Sequence, residues 1–531
     1  MNQSICFING TVLTQRRETP RAEAVVTRGN RILFAGATDD ALAAAGPGAS
    51  VVDLGGRCML PGFIDGHTHF VQGGMHLQGV NLRACRSVEE FAETLGAYVD
   101  GHRGAWITGG DWDQEAWPTR RLPARQTVDP FSADTPIFVQ RFDGHMGLAN
   151  SAALRAAGIT ASTPDPDGGV IERDPATGEP TGILKDAAIP LVTNLVPPPS
   201  AAAIRTAVRM ALREAARNGV TSIHDITLPE QLPVFEAMAA DGELTVHVYS
   251  RLPIALHREL IDRGVTAGAE GGRVSLGSLK AFSDGSLGSD TAWFFEPYSH
   301  NSSLTGLAMD VVTSGELRAR ALEADRHRLQ LSIHAIGDRA NDAVLRIFEE
   351  IVRTNPPWDR RFRIEHAQHV RPGDFARFAS LGVVVSAQPY HCIDDGVWAE
   401  GRIGEDRART SYAFRSFVDA GVRLCFGSDW TVAPLEPIGG IYAAVTRSTL
   451  DGTRPGGWVP EQRLTVEQAL RCYTVEGAYA AFEERLRGSI TPGKIADLVV
   501  LSRDPTTVQP QELLDIAVDM TIADGQTVYS R

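Results

Sequence analysis

Two histidines one residue apart, His67 and His69, form the pattern in this chain most able to do chemistry. They follow the apolar run 59–66, which predicts the end of a buried strand. Alternate strand residues face the same side, so both imidazoles can converge on one metal ion. With 14 histidines in 531 residues, chance alone supplies about 0.4 such pairs. The surrounding sequence must therefore decide whether the pair binds metal.

Four later strand-like runs also end in residues that can bind or bridge metal ions. These are 274–280, 329–334, 362–366 and 424–429, ending at Lys280, His334, His366 and Asp429. In a (β/α)8 barrel the carboxyl ends of all strands meet at one face, where the active sites of this fold lie. The five strand ends would then share one mouth.

The elements between these runs favour such a barrel. The helix predicted over 201–218 places Ile204, Val208, Leu212 and Ala215 on one face, and Gly219 ends it before the valine-led strand 220–223. The same helix, glycine and strand order recurs at 381–385 and 420–424. Strands that alternate with helices indicate a parallel sheet. An open doubly wound sheet is the alternative, but no Gly-x-Gly-x-x-Gly opens a helix here.

The two ends of the chain differ from this region in their sequence pattern. Short β segments with turns fill 1–57, and similar segments return in 485–531, so we predict one composite β-sandwich from both termini. The barrel would occupy 58–484. The alternation of strands and helices is interrupted at residues 112–200, which are rich in turns and contain a predicted hairpin around 174–178. We interpret them as an insertion that shapes the pocket.

Composition narrows the class of protein. Hydrophobic residues at 43% and charged residues at 22% are typical of a globular protein. A net charge of −14 without a basic segment argues against nucleic acid or an anionic membrane as partner. Six dispersed cysteines predict free thiols in a reducing compartment, and no signal-peptide or membrane-spanning pattern is present, so we expect a cytoplasmic protein. The expected partner is a small-molecule substrate, and the oligomeric state stays open, with a homodimer as one option.

Lysine is rare in this chain. Of 51 basic residues only Lys185, Lys280 and Lys494 are lysines. An amine can lose its proton and react, whereas a guanidinium stays charged. Each lysine could therefore do something that arginine cannot, although compositional drift explains any one of them equally well.

The motifs together resemble those of the metal-dependent amidohydrolase superfamily. They are Pro61-Gly62-Phe63-Ile64-Asp65-Gly66-His67-Thr68-His69, His334-Ala335-Ile336-Gly337-Asp338, Glu365-His366-Ala367-Gln368 and Gly427-Ser428-Asp429. Asp143-Gly144-His145, Lys280-Ala281-Phe282-Ser283-Asp284-Gly285 and Gln388-Pro389-Tyr390-His391 resemble the branch around N-substituted formamide deformylase, amidohydrolase family 3. The resemblance covers nearly the whole chain.

The resemblance implies a centre of two divalent metal ions. His67 and His69 would bind one ion, His334 and His366 the second, and Lys280 would bridge them as an N-carboxylated side chain, while Asp429 completes the first site. Zinc suits the histidine-rich ligand set, and manganese, iron or cobalt would also fit. Independently of the family, four neutral imidazoles leave two dications uncompensated, and a carbamate on lysine would supply anionic oxygens.

The expected reaction is hydrolysis of a C–N bond in a non-peptide amide by a metal-bridging hydroxide. Asp429 would move the proton from the nucleophile to the departing amine, and His145 and His391 could hold the carbonyl oxygen or the leaving group. Ester, lactone or phosphotriester hydrolysis, a single-metal deaminase or cyclic-imine hydrolase, and a non-catalytic binding protein are the alternatives.

Several residues keep a second interpretation. Asp429 alone could be a helix N-cap. Lys185 is the rival for the bridging lysine, and His224 could be a ligand or a pocket wall. Trp112, Asp284 and Asp338 are weaker site candidates, with Asp338 and Arg339 expected to form a local ion pair. His369 has no matching role and is expected at the surface.

Overall fold

The computed structural model describes residues 4–102, 106–114, 117–119, 121–141, 146–166, 169–269 and 271–531. The chain divides into two compact units. Unit 1 is Met1–Phe70 with Leu212–Arg531, and unit 2 is Val71–Ala211.

A β-sandwich in unit 1 is built from both ends of the chain. Its first sheet has the order β5-β4-β1-β6, with β1 Ser4–Ile8, β4 Ala24–Arg28, β5 Arg31–Gly36 and β6 Ser50–Asp53. Its second sheet has the order β24-β23-β22-β7-β2-β3, with β2 Thr11–Leu13, β3 Arg21–Ala22, β7 Cys58–Pro61, β22 Leu498–Leu501, β23 Val518–Ala523 and β24 Gln526–Ser530. Helix α1 is Thr38–Ala45. Phe7 and Val25 share one core with Leu498 and Val500, as the composite sandwich requires.

Eight parallel strands form the barrel of unit 1. They are β8 Phe63–Thr68, β15 Val220–Ile226, β16 His247–Pro253, β17 Val274–Phe282, β18 Gln330–Ala335, β19 Arg363–His366, β20 Val384–Ala387 and β21 Arg423–Phe426. Most of their residues are buried, as expected for parallel strands covered on both faces. Each strand pairs with its neighbour in chain order.

The first and last barrel strands meet at their carboxyl ends. The Asp429 N–H donates to the His67 carbonyl at 2.7 Å, and the His69 N–H donates to the Trp430 carbonyl at 3.0 Å. Gly427 makes this approach possible, since a Cβ there would lie 2.3 Å from the His67 nitrogen. The predicted barrel is thereby confirmed, and its closure sets Asp429 directly beside the two-histidine motif.

Helices follow the barrel strands in the order that the sequence predicts. Helix α7, Ala201–Arg217, buries Ile204 and Val208, and Gly219 has the left-handed φ of 74° that ends it. The later helices are α8 Leu232–Ala240, α9 His257–Asp262, α10 Asp310–Thr313, α11 Glu316–Arg326, α12 Asp338–Thr354, α13 Phe375–Ser380, α14 Pro389–Asp395, α15 Ala399–Ile403, α16 Glu405–Ala408, α17 Phe414–Asp419, α18 Pro437–Thr446, α19 Val466–Cys472 and α20 Val475–Ala480.

Unit 2 has its own sheet, of order β13-β14-β12-β11-β10-β9, and contains the predicted insertion 112–200. Its strands are β9 Val80–Asn81, β10 Gly109–Trp112, β11 Phe138–Arg141, β12 Met146–Ala149, β13 Gly169–Arg173 and β14 Pro180–Asp186. The helices in this part of the chain are α2 Phe70–Gln78, α3 Val88–Gly101, α4 Arg125–Val128, α5 Ser151–Ala156 and α6 Pro190–Thr193. The hairpin expected around 174–178 joins β13 to β14.

All six cysteines are buried and unpaired. Among the described residues, every helix is too short or too polar to cross a membrane.

Candidate functional site

A cavity of about 390 Å³ lies at the carboxyl ends of the barrel strands. The side chains that line it include five of the predicted metal ligands and one predicted catalytic histidine: His67, His69, His334, His366, Asp429 and His391. Residues from five separate stretches of sequence therefore meet at one place.

Asp429 is the point on which the histidines of two strands converge. Its Oδ1 atom is 3.4 Å from His67 Nε2 and 3.2 Å from His69 Nε2. His67, His366 and Asp429 each offer a ligand atom within 4.8 Å of the others. This spacing is small enough for one ion to contact all three side chains.

His334 extends the cluster. Its ring centroid is 4.5 Å from that of His366, and the His366 ring is 4.9 Å from that of His67. His334 Nε2 lies 3.0 Å from the Gly285 carbonyl oxygen. The four imidazoles thus form one continuous group, in which His366 adjoins both predicted ion sites.

Lys280 is buried near this group, at the end of β17, and does not line the cavity. Its Nζ lies 3.7 Å from the centroid of the Phe282 ring and 3.4 Å from the Ala281 carbonyl oxygen. Among the described residues no carboxylate forms an ion pair with it. Burial lowers the pKa of the amine to about 7, so a large fraction of it is uncharged near neutral pH.

Burial also favours the neutral form of His67, His334 and His366. It lowers the pKa of His67 to about 4 and that of His334 to about 3, and it holds the pKa of His366 well below the usual range. Burial alone would raise the pKa of Asp429, but the neighbouring imidazoles, His67 foremost, hold it well below its usual value. Neutral nitrogens beside an ionised carboxylate are the donor set that a divalent transition metal requires.

The backbone holds two of these residues in an uncommon conformation. His366 has φ 75° and Asp429 has φ 58°, both in the left-handed region that non-glycine residues rarely adopt. Such strain is retained where the surrounding structure fixes a side chain for a purpose. It sets these two side chains apart from ordinary strand-end residues.

Glu365 is a site residue for which the sequence assigned no role. Its Oε2 atom is 2.5 Å from His67 Nδ1, and the side chain is 0% exposed. Arg251 and Arg363, also 0% exposed, contact the same carboxylate at 2.9 Å and 3.0 Å. Burial favours the neutral acid, but the two guanidinium groups hold the pKa of Glu365 well below its usual range.

The ionised Glu365 can only accept a hydrogen bond, so Nδ1 of His67 carries the proton and Nε2 keeps its lone pair for a metal. Gln388 contacts His366 in the same way, with its Oε1 atom 2.7 Å from His366 Nδ1. The sequence signal for this support is the pair of charged residues at alternate positions, Arg363 and Glu365, in a strand buried on both faces.

Three more buried carboxylates fix the loops around the cavity. Asp65 accepts from the His67 and Ser428 N–H groups, each at 3.0 Å. Asp284, a weaker candidate from sequence, accepts from the Gly337 and Trp293 N–H groups at 2.8 Å. Asp225 accepts from the Phe70 N–H at 2.7 Å. Each binds backbone from a different stretch of chain, which keeps the ligand-bearing loops in place.

His391 lies in the first turn of α14, and its ring is 6.4 Å from the ring of His366. It is 8% exposed, and no described residue forms a hydrogen bond with its Nε2 atom. A buried polar atom without a partner in a cavity wall is suited to hold a bound molecule. His145, its predicted counterpart, lies outside the described residues.

Several sequence expectations are corrected by the structure. His369 is buried, not at the surface, and its Nδ1 lies 2.7 Å from Ser411 Oγ. Asp338 accepts from the Phe295 N–H at 2.9 Å instead of pairing with Arg339, whose guanidinium lies 4.6 Å from the Trp293 ring.

The remaining candidates have other partners. His224 is buried in the barrel, with Nδ1 2.9 Å from Arg363 Nη1. Lys185 forms an ion pair with Glu172 at 2.6 Å in unit 2, and Trp112 belongs to the core of that unit. None of these three is among the described residues that line the cavity.

Comparison with known proteins gives the following. A family model described as the amidohydrolase family matches residues 50–529. Protein LONG AFTER FAR-RED 3 of Arabidopsis thaliana is 37% identical over 508 residues, covering 93% of this chain and 86% of that protein. N-substituted formamide deformylase of Arthrobacter pascens is 28% identical over 548 residues, covering 100% and 99%. An uncharacterized metal-dependent hydrolase from Pyrococcus horikoshii OT3 superposes with a TM-score of 0.81 at 28% identity, covering 96% and 99%.

Proposed function

Because this chain belongs to the amidohydrolase family, it is a metal-dependent hydrolase of C–N bonds, and we propose that it cleaves non-peptide amides of the N-formyl or N-acyl amine type. The observation that carries the proposal is the meeting of four imidazoles with an ionised Asp429 in one cavity. The similarity to N-substituted formamide deformylase supports the amide class.

Two divalent ions, with zinc favoured, fit the donors of this cavity. His67, His69 and Asp429 would hold one ion, and His334 and His366 the other. Ions bound there would lower the pKa of a water molecule toward neutrality and polarise the scissile carbonyl. Neutral imidazoles, an ionised carboxylate and the Glu365 and Gln388 contacts that orient two of the rings all support this assignment.

Lys280 is proposed as the bridge between the two ions. Its uncharged amine can attack carbon dioxide, forming an N–C bond and releasing one proton, which converts the neutral side chain into an anionic carbamate. The pKa of about 7 and the lack of a carboxylate partner among the described residues support this. Lys185 is not proposed as the bridge, because its amine forms an ion pair with Glu172.

Asp429 is proposed to move the proton. It accepts the proton from the attacking water and delivers it to the amine nitrogen as the C–N bond breaks. His391, whose Nε2 has no hydrogen-bond partner among the described residues, is proposed to hold the carbonyl oxygen or the leaving group, and His145 is proposed for the same task. The six unpaired thiols support a reducing compartment, so we also propose a cytoplasmic location.

The test is metal analysis followed by a substrate panel. Protein freed of metal is reloaded with zinc and assayed on N-formyl, N-acetyl and longer N-acyl amines, with simple esters and lactones alongside. We expect amide hydrolysis that requires metal, and a loss of about 10³-fold in kcat for Asp429→Asn. Full turnover by Asp429→Asn would refute its role, and hydrolysis of esters alone would replace the amide class with the ester class.

A further inference from the structure

The cavity beyond the metal ligands has a distinct chemical character. Its other walls combine apolar side chains with two carboxylates: Phe282, Leu287, Ile336, Trp398, Val432, Asp394 and Asp395. No lysine or arginine is among its described lining residues. A substrate that carried a negative charge here would meet carboxylates and no counter-ion.

Helix α14 carries both the proposed catalytic residue His391 and Asp394, the first of these two carboxylates. His391 and Asp394 are three residues apart on it, so they share a face with their Cβ atoms roughly 5–6 Å apart. His391 stacks beside the His366 ring and has an unpartnered buried nitrogen. One helical turn thus separates Asp394 from His391, the cavity residue that adjoins the ligand His366.

The two carboxylates differ in what they already bind. Asp395 accepts a hydrogen bond from the Tyr412 hydroxyl at 2.5 Å, and burial raises its pKa to about 7. Asp394 is exposed to the cavity, and none of the described residues forms an ion pair or hydrogen bond with its side chain. Of the two carboxylates, Asp394 is therefore the one whose side chain is free to bind a ligand.

Aromatic side chains stand beside this free charge. Trp398 lines the same cavity, and Phe282 is 43% exposed toward it. The guanidinium of Arg402, 5.8 Å from the Trp398 ring, is already paired with Asp290. An aromatic face next to an unpaired carboxylate favours an organic cation.

We propose that this cleft selects mono-N-acylated diamines, in which Asp394 binds the free ammonium group and Trp398 packs against the spacer. This rests on the proposed amide hydrolysis. A formyl group carries only hydrogen on its carbonyl carbon, so the acyl side of a formamide offers no substituent that the cleft could recognise. In such a substrate the ammonium group lies on the amine side of the C–N bond. Water oxygen bonds to the acyl carbon, the C–N bond breaks, and the departing nitrogen takes the proton, giving a carboxylic acid and a diamine.

The experiment compares three formamides of equal length on the zinc-loaded enzyme: N-formyl-1,5-diaminopentane, its neutral isostere N-formylhexylamine, and the anionic N-formyl-6-aminohexanoate. We expect kcat/KM to fall in that order, with about 10-fold between the first two. Asp394→Asn should lower kcat/KM about 10-fold for the cation, mainly through KM, and less than 2-fold for the neutral isostere. Added salt should weaken the preference of the wild type only.

Asp310→Asn is the matched control, because it removes one exposed carboxylate that does not line the cavity and changes net charge equally. It should leave all three rates unchanged. Calorimetry measures the binding of 1,5-diaminopentane and of hexylamine without any turnover. Asp394→Asn should weaken the binding of the diamine and leave that of hexylamine unchanged. If neither these formamides nor the N-acyl amines of the substrate panel are hydrolysed, the proposed function fails, and the calorimetry still decides the cation site. Equal use of cation and anion by the wild type, or an unchanged preference in Asp394→Asn, would overturn the proposal.

Discussion

His67, His366 and Asp429 form one cluster of close ligand atoms, and His247, Asp497 and Asp524 form another. In both, three ligand atoms lie within 4.8 Å of one another. His247 begins strand β16, at the amino end of the barrel, whereas His67, His366 and Asp429 lie at the carboxyl ends. Distances between donors alone cannot distinguish the two.

The surrounding charges do distinguish them. In the His247 cluster, Arg273 pairs with Asp524, and Arg487 Nη1 lies 3.7 Å from Asp497 Oδ2. Both carboxylates there already face a guanidinium, which cannot lose its proton. A metal ion there would compete with these fixed positive charges for the same two carboxylates.

In the His67 cluster, the partners of Asp429 are imidazoles, and the two nearby guanidinium groups are committed to Glu365. The remaining cation, Lys280, can become neutral or anionic. The comparison teaches that a metal site needs donors whose charge is still uncompensated, at the end of the fold where a cavity gives access.

The largest expected effect comes from removing one histidine of each cluster. His67→Asn should lose metal from the loaded protein and reduce kcat by about 10³-fold, because the nucleophile and the polarised carbonyl both depend on the ions. His247→Asn should keep the wild-type metal content and activity within about 3-fold and lower only the melting temperature. Metal analysis, turnover and a thermal melt of each variant check this. Metal lost from His247→Asn would reverse the assignment.

The next largest effect concerns the lysine. Lys280→Arg should bind one ion instead of two and lose about 10²-fold in kcat/KM, because arginine forms no carbamate bridge. Lys185→Arg is the control, since its ion pair with Glu172 survives the exchange. Two ions and full activity in Lys280→Arg would leave a bridge through lysine without support.

Glu365→Gln should act through His67. Removing the charge that orients the imidazole should weaken metal binding by about 10–100-fold, measured by competition with a chelator. Glu483→Gln is the matched control for Glu365→Gln, because it removes the charge of a glutamate that also pairs with a buried arginine. Glu483 lies 3.0 Å from Arg487, beside the His247 cluster. It should destabilise the fold and leave metal affinity unchanged. A similar loss of affinity in both variants would mean that Glu365 acts only on stability.

The smallest effect concerns pH and the His247 cluster. Burial raises the pKa of Asp524, but hydrogen bonding to His247 and the charges of His247, Arg273 and Arg487 outweigh it, so the net shift is downward. A carboxyl whose pKa is lower in the folded than in the unfolded protein stabilises the fold. This contribution is fully present above the pKa of the unfolded state, roughly 4, and is lost as the pH falls through the pKa of the folded state.

Asp524→Asn should therefore cost about 1–2 kcal/mol at pH 7. The difference from wild type should vanish in acid, as denaturant melts across pH would show. A difference that persists at the lowest pH would indicate a packing effect instead of the charge pairs.

The sequence was sufficient for the parts of this molecule that depend on local pattern. Valine-led strands after glycine-ended helices predicted the barrel, and the residues ending those strands predicted which side chains share its mouth. Strand alternation made His67 and His69 a pair, and burial of five strand ends at one face followed from the fold.

What the sequence could not supply depends on pairing between distant strands. Glu365 supports His67 across 298 residues of chain, and Arg251 joins them from a third strand. His369 was expected at the surface because it has no matching role in the motif, yet it is buried beside Ser411. The sequence around Asp394 does not reveal that Asp395 accepts a hydrogen bond from Tyr412, whereas the side chain of Asp394 has no such partner among the described residues.

The most direct test of a two-ion centre bridged by Lys280 is an anomalous difference map, recorded at the zinc edge, from crystals of the zinc-loaded protein. The account predicts two peaks roughly 3.5–4 Å apart among His67, His69, His334, His366 and Asp429, with carboxylated Lys280 between them. A single peak beside an unmodified Lys280, or a peak among His247, Asp497 and Asp524, would contradict it.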